Sequence, residues 1–455
     1  MFVTKILSQE LSRDKEFFDD ENLGTYYCNT KIQNLIFQDD IVRFEDDEEK
    51  LNKANIIFNI FQNINKMEFH PIKTKIMKIN SQESEIKLGE HHLEYTDKMK
   101  YLGDIISNDG KIDELIKDRK NAITGITAEL VSIMSQIQNE TAIKAKIQFI
   151  RGILVPKLLV NSETWNNLTQ TNKADLEKIF IKSIKRILRI PESTPNMGIL
   201  NELGLLTIEN EMMKRRITYL HAMLNGKNQI VKEILDQQLL LPGQTWISNT
   251  LKMMENLKIT TDLLELRDLS KYKIKKIIKE KICKKQKNEL EEKFKESRKC
   301  KNLQINTGKP LNYLINLSPK RAKIILLTKL GMIDLKANFK NKYKNLDCRM
   351  CTSENETLEH ITKCFAIPNE IKKQLEMDKI NDIEQEIQSD NYERLEEIAD
   401  AIESLTDCLK EQESMIEIDD DDEENLNPLP KPVPDLIADN TSVSELQQRD
   451  RNTKK

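Results

Sequence analysis

The chain has 455 residues, 71 Lys plus Arg against 75 Asp plus Glu, a net charge of −4, and only 12 Gly and 12 Pro. That length allows a buried core without disulfide or metal staples. The scarcity of Gly and Pro excludes collagen-like, Gly/Pro-rich low-complexity and most many-turned β architectures.

Charge is unevenly spread. Residues 376–455 hold 8 Lys plus Arg against 25 Asp plus Glu, a net of −17, so 1–375 carry +13. A basic body with an acidic appendage fits a polyanionic partner and a solvated tail. The seven cysteines, an odd number in a Lys-rich chain without a secretory signal, imply a reducing, intracellular compartment, nucleus or cytoplasm. No eighteen consecutive residues are apolar, so no membrane span is expected.

Residues 1–23 carry no clear element. Apolar runs at 31–37 and 41–44 flank Asp39 and Asp40, the pattern of a β-hairpin with the acids at its tip. Leu51, Ala54, Ile57, Phe58 and Phe61 recur at helical spacing, so 47–64 reads as an amphipathic helix. Strands are expected at 75–79 and 99–106. From Ile112 onward the chain reads as helical. A helix over 174–190 has an apolar stripe (Leu176, Phe180, Ile184, Ile187) and a basic one (Lys178, Lys182, Lys185, Arg186, Arg189). Pro191 stops it. Another helix fits 208–224, and Leu241-Pro242-Gly243 marks a boundary. Residues 271–301, with 14 Lys or Arg against 5 Asp or Glu, form a basic helix or pair of helices. Ser318-Pro319 and Gly331 punctuate a further helix. Beyond about 414, with six consecutive acids at Asp419–Glu424, the tail is expected to be disordered. The fold class is therefore α+β, predominantly α-helical.

Two constellations carry chemistry. Adjacent carboxylates at a hairpin tip, as in Phe37-Gln38-Asp39-Asp40, suit divalent metals that position a hydroxyl and neutralise phosphate charge; an ordinary acidic turn is the alternative. Cys348-x2-Cys351-x8-His360-x3-Cys364 has zinc spacing, a tight Cys-x-x-Cys turn followed by His and Cys four apart. Cysteines in a helical core plus a surface histidine would be the bland reading. Lys340, Lys342, Lys344 and Arg349 beside it suit phosphates. Gly308-Lys309 reads as a turn, His91-His92 as a solvated loop, Trp165 and Trp246 as packing residues, and His221 as a half-buried helix residue.

The ordered series Phe37-Gln38-Asp39-Asp40, helix 47–64, Lys73-Thr74-Lys75, Tyr101-Leu102-Gly103, Pro156-Lys157, Glu163-Thr164-Trp165, Ile190-Pro191, Glu202-Leu203-Gly204 and the Cys/His cluster resembles the reverse transcriptase of LINE-type, non-LTR retrotransposons over roughly 24–370. The resemblance implies a partial palm at 24–110, a helical thumb and connector at 111–240, a basic helical linker at 241–337, a zinc knuckle at 338–370, an acidic helical segment at 371–413 and a tail at 414–455. It further implies that Asp39 and Asp40 bind Mg2+, that Lys73 (or Lys75) faces the leaving pyrophosphate, that Tyr101, Leu102 and Gly103 support the primer, and that Cys348, Cys351, His360 and Cys364 hold Zn2+. RNA and DNA would be the partners. The family's upstream strand with another metal-binding Asp, and its nucleotide pocket, have no match in the 36 residues before Phe37, and Gln38 replaces a small or apolar residue. A catalytically incomplete RNA-directed DNA polymerase that retains nucleic-acid binding is expected. The rivals are a non-enzymatic protein-interaction protein derived from the same element, and a decayed element without function.

Overall fold

The computed structural model describes residues 23–37, 40–66, 68–70, 72–79, 85–136, 141–166, 168–374 and 386–424. The strands come first. β1 (Thr25–Tyr27) pairs antiparallel with β2 (Thr30–Ile32), and β3 (Asn34–Phe37) with β4 (Asp40–Arg43). The second register sets Phe37 opposite Asp40. It leaves Gln38 and Asp39 between the strands, and both lie outside the described residues. Asp47 caps the helix Glu48–Asn65, its carboxylate accepting from Lys50 N at 2.8 Å, and Glu48 and Glu49 complement the helix dipole in the first turn. The helix buries Ala54, and packs Phe58 and Phe61 with Leu88, Ile41 and Phe69.

Three more short ladders follow. β5 (Lys75–Ile76) pairs parallel with β8 (Glu94–Tyr95), and β6 (Lys87–Leu88) pairs with β7 (His91–His92), so the two histidines sit in an exposed strand rather than a loop. The run 99–106 is a hairpin, not one strand: β9 (Lys98–Tyr101) turns back into β10 (Asp104–Ser107). Leu102 (φ 47°) and Gly103 (φ 90°) form the turn, the two positive φ values that a two-residue hairpin connection of right-twisted strands requires. The described strands thus form five two-stranded sheets rather than one continuous sheet.

Helices make up the rest. Asp113–Gln136 packs against Gln170–Leu188, which Thr169 caps at 3.1 Å to Asn172 N and which ends at left-handed Arg189 (φ 54°). The main core runs from Leu115 through Phe180, Leu203 and Leu326 to Leu409. A second apolar cluster joins the helices Ile208–Leu224, Gln229–Leu240, Trp246–Asn256, Leu263–Asp268 and Lys271–Glu296 through Ile217, Leu235, Ile247, Ile274 and Ile278. The loop at 241–243 therefore lies within one packed group, and 271–296 is a single helix. Ser318 caps Pro319–Lys329, and Gly331 follows with φ 60°.

The helix Tyr392–Glu424 buries Leu395, Ile398, Ile402, Leu405 and Leu409. It overturns the expectation of disorder from 414, since backbone helix continues through the acid run to Glu424. Propagation costs little once a packed nucleus exists. Residues 425–455 of the expected tail lie outside the described residues. No described helix is long and apolar enough to cross a membrane.

Candidate metal centre

The zinc-spaced residues converge. One ligand atom from each of Cys348, Cys351, His360 and Cys364 lies within 4.8 Å of every other. Cys348 Sγ and Cys364 Sγ are 4.0 Å apart, and Cys351 Sγ lies 3.2 Å from His360 Nε2. Tetrahedral zinc, with bonds of about 2.0–2.3 Å, needs donor separations of this order. The local fold explains the convergence. Asp347 bridges Asn355, Cys348 N donates to Glu354 O at 2.7 Å, and left-handed Thr352 (φ 55°) closes the turn after Cys351. Thr357 then caps the helix Leu358–Lys363 at 3.0 Å to His360 N, which places His360 and Cys364 one turn apart.

The donors differ in their environment. Burial pushes the Cys348 thiol up to about 12. Hydrogen bonds from the Ser353 hydroxyl and backbone, and from His360, bring Cys351 down to about 6. A dication would replace the thiol protons and offset thiolate charge. The donor set of three thiols and one imidazole, half buried and sterically convergent, fits zinc.

Residues that the spacing does not mark complete the centre. Glu354 Oε2 lies 3.0 Å from His360 Nδ1, leaving Nε2 toward the thiols; such a partner fixes ring orientation and ligand basicity. Ser353 Oγ lies 3.1 Å from Cys351 Sγ. Arg349, inside the Cys-x-x-Cys turn, is buried and not offered to phosphate. It pairs with Glu356 at 2.7 Å and Glu413 at 2.8 Å, and donates to Asp334 O at 2.7 Å. Burial alone would lower its pKa, and Glu356 more than reverses this. Lys340, Lys342 and Lys344 do remain exposed. Lys185 likewise leaves the expected basic stripe: it is buried, donating to Glu192 O at 2.5 Å and Asn196 Oδ1 at 2.8 Å, whereas Lys178, Lys182, Arg186 and Arg189 are exposed.

The polymerase-like residues are less assembled. Asp40 opens β4 and is exposed. Burial first, and then the charge of Asp40, raise the Tyr101 phenol above its ordinary pKa. Lys73 is exposed in a turn, donating from its backbone to His70 O at 3.1 Å, and Lys75 pairs with Glu94 at 3.2 Å. The Tyr101-Leu102-Gly103 turn is held from below. Arg119 bonds Asp104 and, at 3.0 Å, Gly103 O; Asn161 bonds Leu102 O at 3.1 Å. Among the described residues the Cys/His group is the one cluster suited to a metal, and Asp39 lies outside them. The expected magnesium pair therefore lies only in part, through Asp40, within the described residues. Trp165 is buried, as a packing residue should be, and His221 is more buried than half, bonding Leu269 O at 2.8 Å. No protein-family model matches the chain, and no curated protein matches it.

Proposed function

We propose that this chain is a nucleic-acid-binding segment of a LINE-type, non-LTR retrotransposon reverse transcriptase. In this reading a zinc knuckle at 348–364 and exposed basic side chains hold RNA or DNA, and the residues present do not by themselves complete polymerase chemistry. The observation that carries the reading is the convergence of Cys348, Cys351, His360 and Cys364 beside exposed Lys340, Lys342 and Lys344. A metal-braced turn presenting lysines is a compact platform for phosphates. The antiparallel hairpin Asn34–Phe37/Asp40–Arg43, with Asp40 opening its second strand, supports the polymerase ancestry. Any Mg2+ held by Asp39 and Asp40 would need further carboxylates to share two metals' charge.

The test is binding of a labelled single-stranded RNA and a primer–template duplex by fluorescence anisotropy, between about 50 and about 200 mM salt. Affinity should fall steeply over that range, and one equivalent of zinc should copurify. Cys351→Ser should lose the zinc and weaken binding, whereas Asp40→Ala should leave binding unchanged. No binding at the lowest salt, or full zinc content in Cys351→Ser, overturns the reading and favours protein contacts instead.

A further inference from the structure

The helix Lys271–Glu296 is electrically polarised along its length. Residues 271–285 carry eight lysines and one glutamate, whereas 286–296 carry three lysines and four glutamates. Burial does not explain the difference, because the same inward stripe runs through both halves: Ile274, Ile278 and Ile282, then Gln286, Leu290 and Phe294. Ion pairing does not neutralise it either. The helix's pairs are Lys276–Glu280 at 4.0 Å, Lys285–Glu289 and Lys287–Glu291 at 3.8 Å. Lys271, Lys273, Lys275, Lys279 and Lys284 are exposed and have no acid partner among the described residues.

This distribution opposes folding. Lysines crowd the end of the helix whose dipole is already positive, and its first turn has no acid. Like charges also repel one another at helical spacing. In their midst Tyr272 is 80% exposed, although a tyrosine would ordinarily bury its ring. An uncompensated cationic surface with an unpacked aromatic side chain combines the two elements that hold an unpaired strand: charge along the backbone and a face on which a base stacks.

We propose that residues 271–285, with Tyr272, form a docking surface for the sugar–phosphate backbone of single-stranded nucleic acid. This rests on the nucleic-acid binding proposed above and adds a second contact, in a different apolar cluster from the knuckle. Lysines act as point charges without the planar fork that reads guanine, so the contact is indifferent to sequence. RNA and DNA share the chemistry, and both serve as probes.

The experiment compares the full chain with a quadruple variant, Lys273→Gln, Lys275→Gln, Lys279→Gln and Lys284→Gln, with a same-helix control, Lys287→Gln and Lys295→Gln, and with Tyr272→Ala. Circular dichroism verifies helicity, and anisotropy is measured against single-stranded RNA, single-stranded DNA and a duplex. The quadruple variant should lose at least about tenfold in affinity for single strands, and the slope of log K against log salt should shrink by up to about 3. The control should match the parent. Tyr272→Ala should weaken single strands about fivefold or more and leave the duplex unchanged. If the parent binds and the quadruple variant binds with the same slope, the surface falls while the knuckle reading stands. If the parent binds no nucleic acid even at low salt, both fall.

Discussion

Glu202 shows how much a single buried charge can demand. Its side chain is fully buried, yet it bonds Lys329 Nζ at 3.0 Å and the Tyr313 hydroxyl at 2.8 Å. Burial and the neighbouring carboxylate push Tyr313 well above the ordinary phenol range, so it remains a donor. Removing the cation would strand the carboxylate. Lys329→Met is therefore expected to destabilise by about 3–5 kcal/mol, read from the denaturant midpoint, and a simultaneous Glu202→Gln should recover part of the loss. Glu177 presents the opposite problem. Its Oε2 accepts from Ile208 N at 2.7 Å, but burial raises the carboxyl from 4.5 to about 7. The folded value exceeds the unfolded one, so the protonated side chain favours the native state. That contribution is complete below about pH 4.5 and is lost as pH rises toward 7. Glu177→Gln should raise the thermal midpoint at pH 8, leave it nearly unchanged at pH 4, and flatten the decline between them. An unaltered pH profile would show that Glu177 is not the group responsible.

At the scale of elements, one glycine determines how two segments meet. The helix Asn196–Leu203 ends at Gly204 with φ +58°, and a Cβ there would stand 1.9 Å from the carbonyl oxygen of Lys309. Gly204→Ala combines a left-handed conformation, costing about 1–2 kcal/mol, with a clash against backbone that cannot rotate away. A fall in unfolding free energy above about 2 kcal/mol is expected, and a smaller one would mean that the 308–309 turn moves aside easily. The helices were legible because their signals are local: apolar periodicity over 51–61 and 176–187, a stop at Pro191, and Ser318 before Pro319. The Cys/His spacing was legible for the same reason, since a tight turn and one helical turn suffice to bring four ligands together. What the one-dimensional pattern misjudged depends on neighbours distant in sequence. Lys185 looks solvated on a helical wheel, but the chain returning past Pro191 covers it. Arg349 sits among lysines, yet its acids come from the loop at 356 and from Glu413, sixty-four residues on. The turn at Tyr101-Leu102-Gly103 was legible through its glycine, but not the positive φ of Leu102, which Arg119 and Asn161 hold in place.

At the scale of the molecule, the Cys/His cluster and the acidic helix are mechanically joined. Lys320, Arg321 and Arg349 of the body meet Glu403, Asp400, Glu396 and Glu413 on Tyr392–Glu424. Of these cations only Arg349 lies within the zinc-spaced turn, between Cys348 and Cys351. Its guanidinium is held by Glu356, whose own oxygens also accept from Lys336 N and Arg349 N at 2.9 Å each. The turn, the arginine and the pair with Glu413 therefore form one connected polar unit. Upstream of it the helix is held by the pairs of Lys320 and Arg321 and by the apolar stripe from Leu395 to Leu409. Zinc removal by a chelator should accordingly speed amide exchange over 346–364 and, beyond them, near Glu413, while 395–402 remain protected because their stability derives from burial. Arg349→Leu should reproduce the faster exchange near Glu413 with zinc still bound. If that variant and the chelated protein both leave exchange near Glu413 at the parent rate, the Arg349–Glu413 pair transmits nothing, and the acidic helix is docked by its leucines and by Lys320 and Arg321 alone.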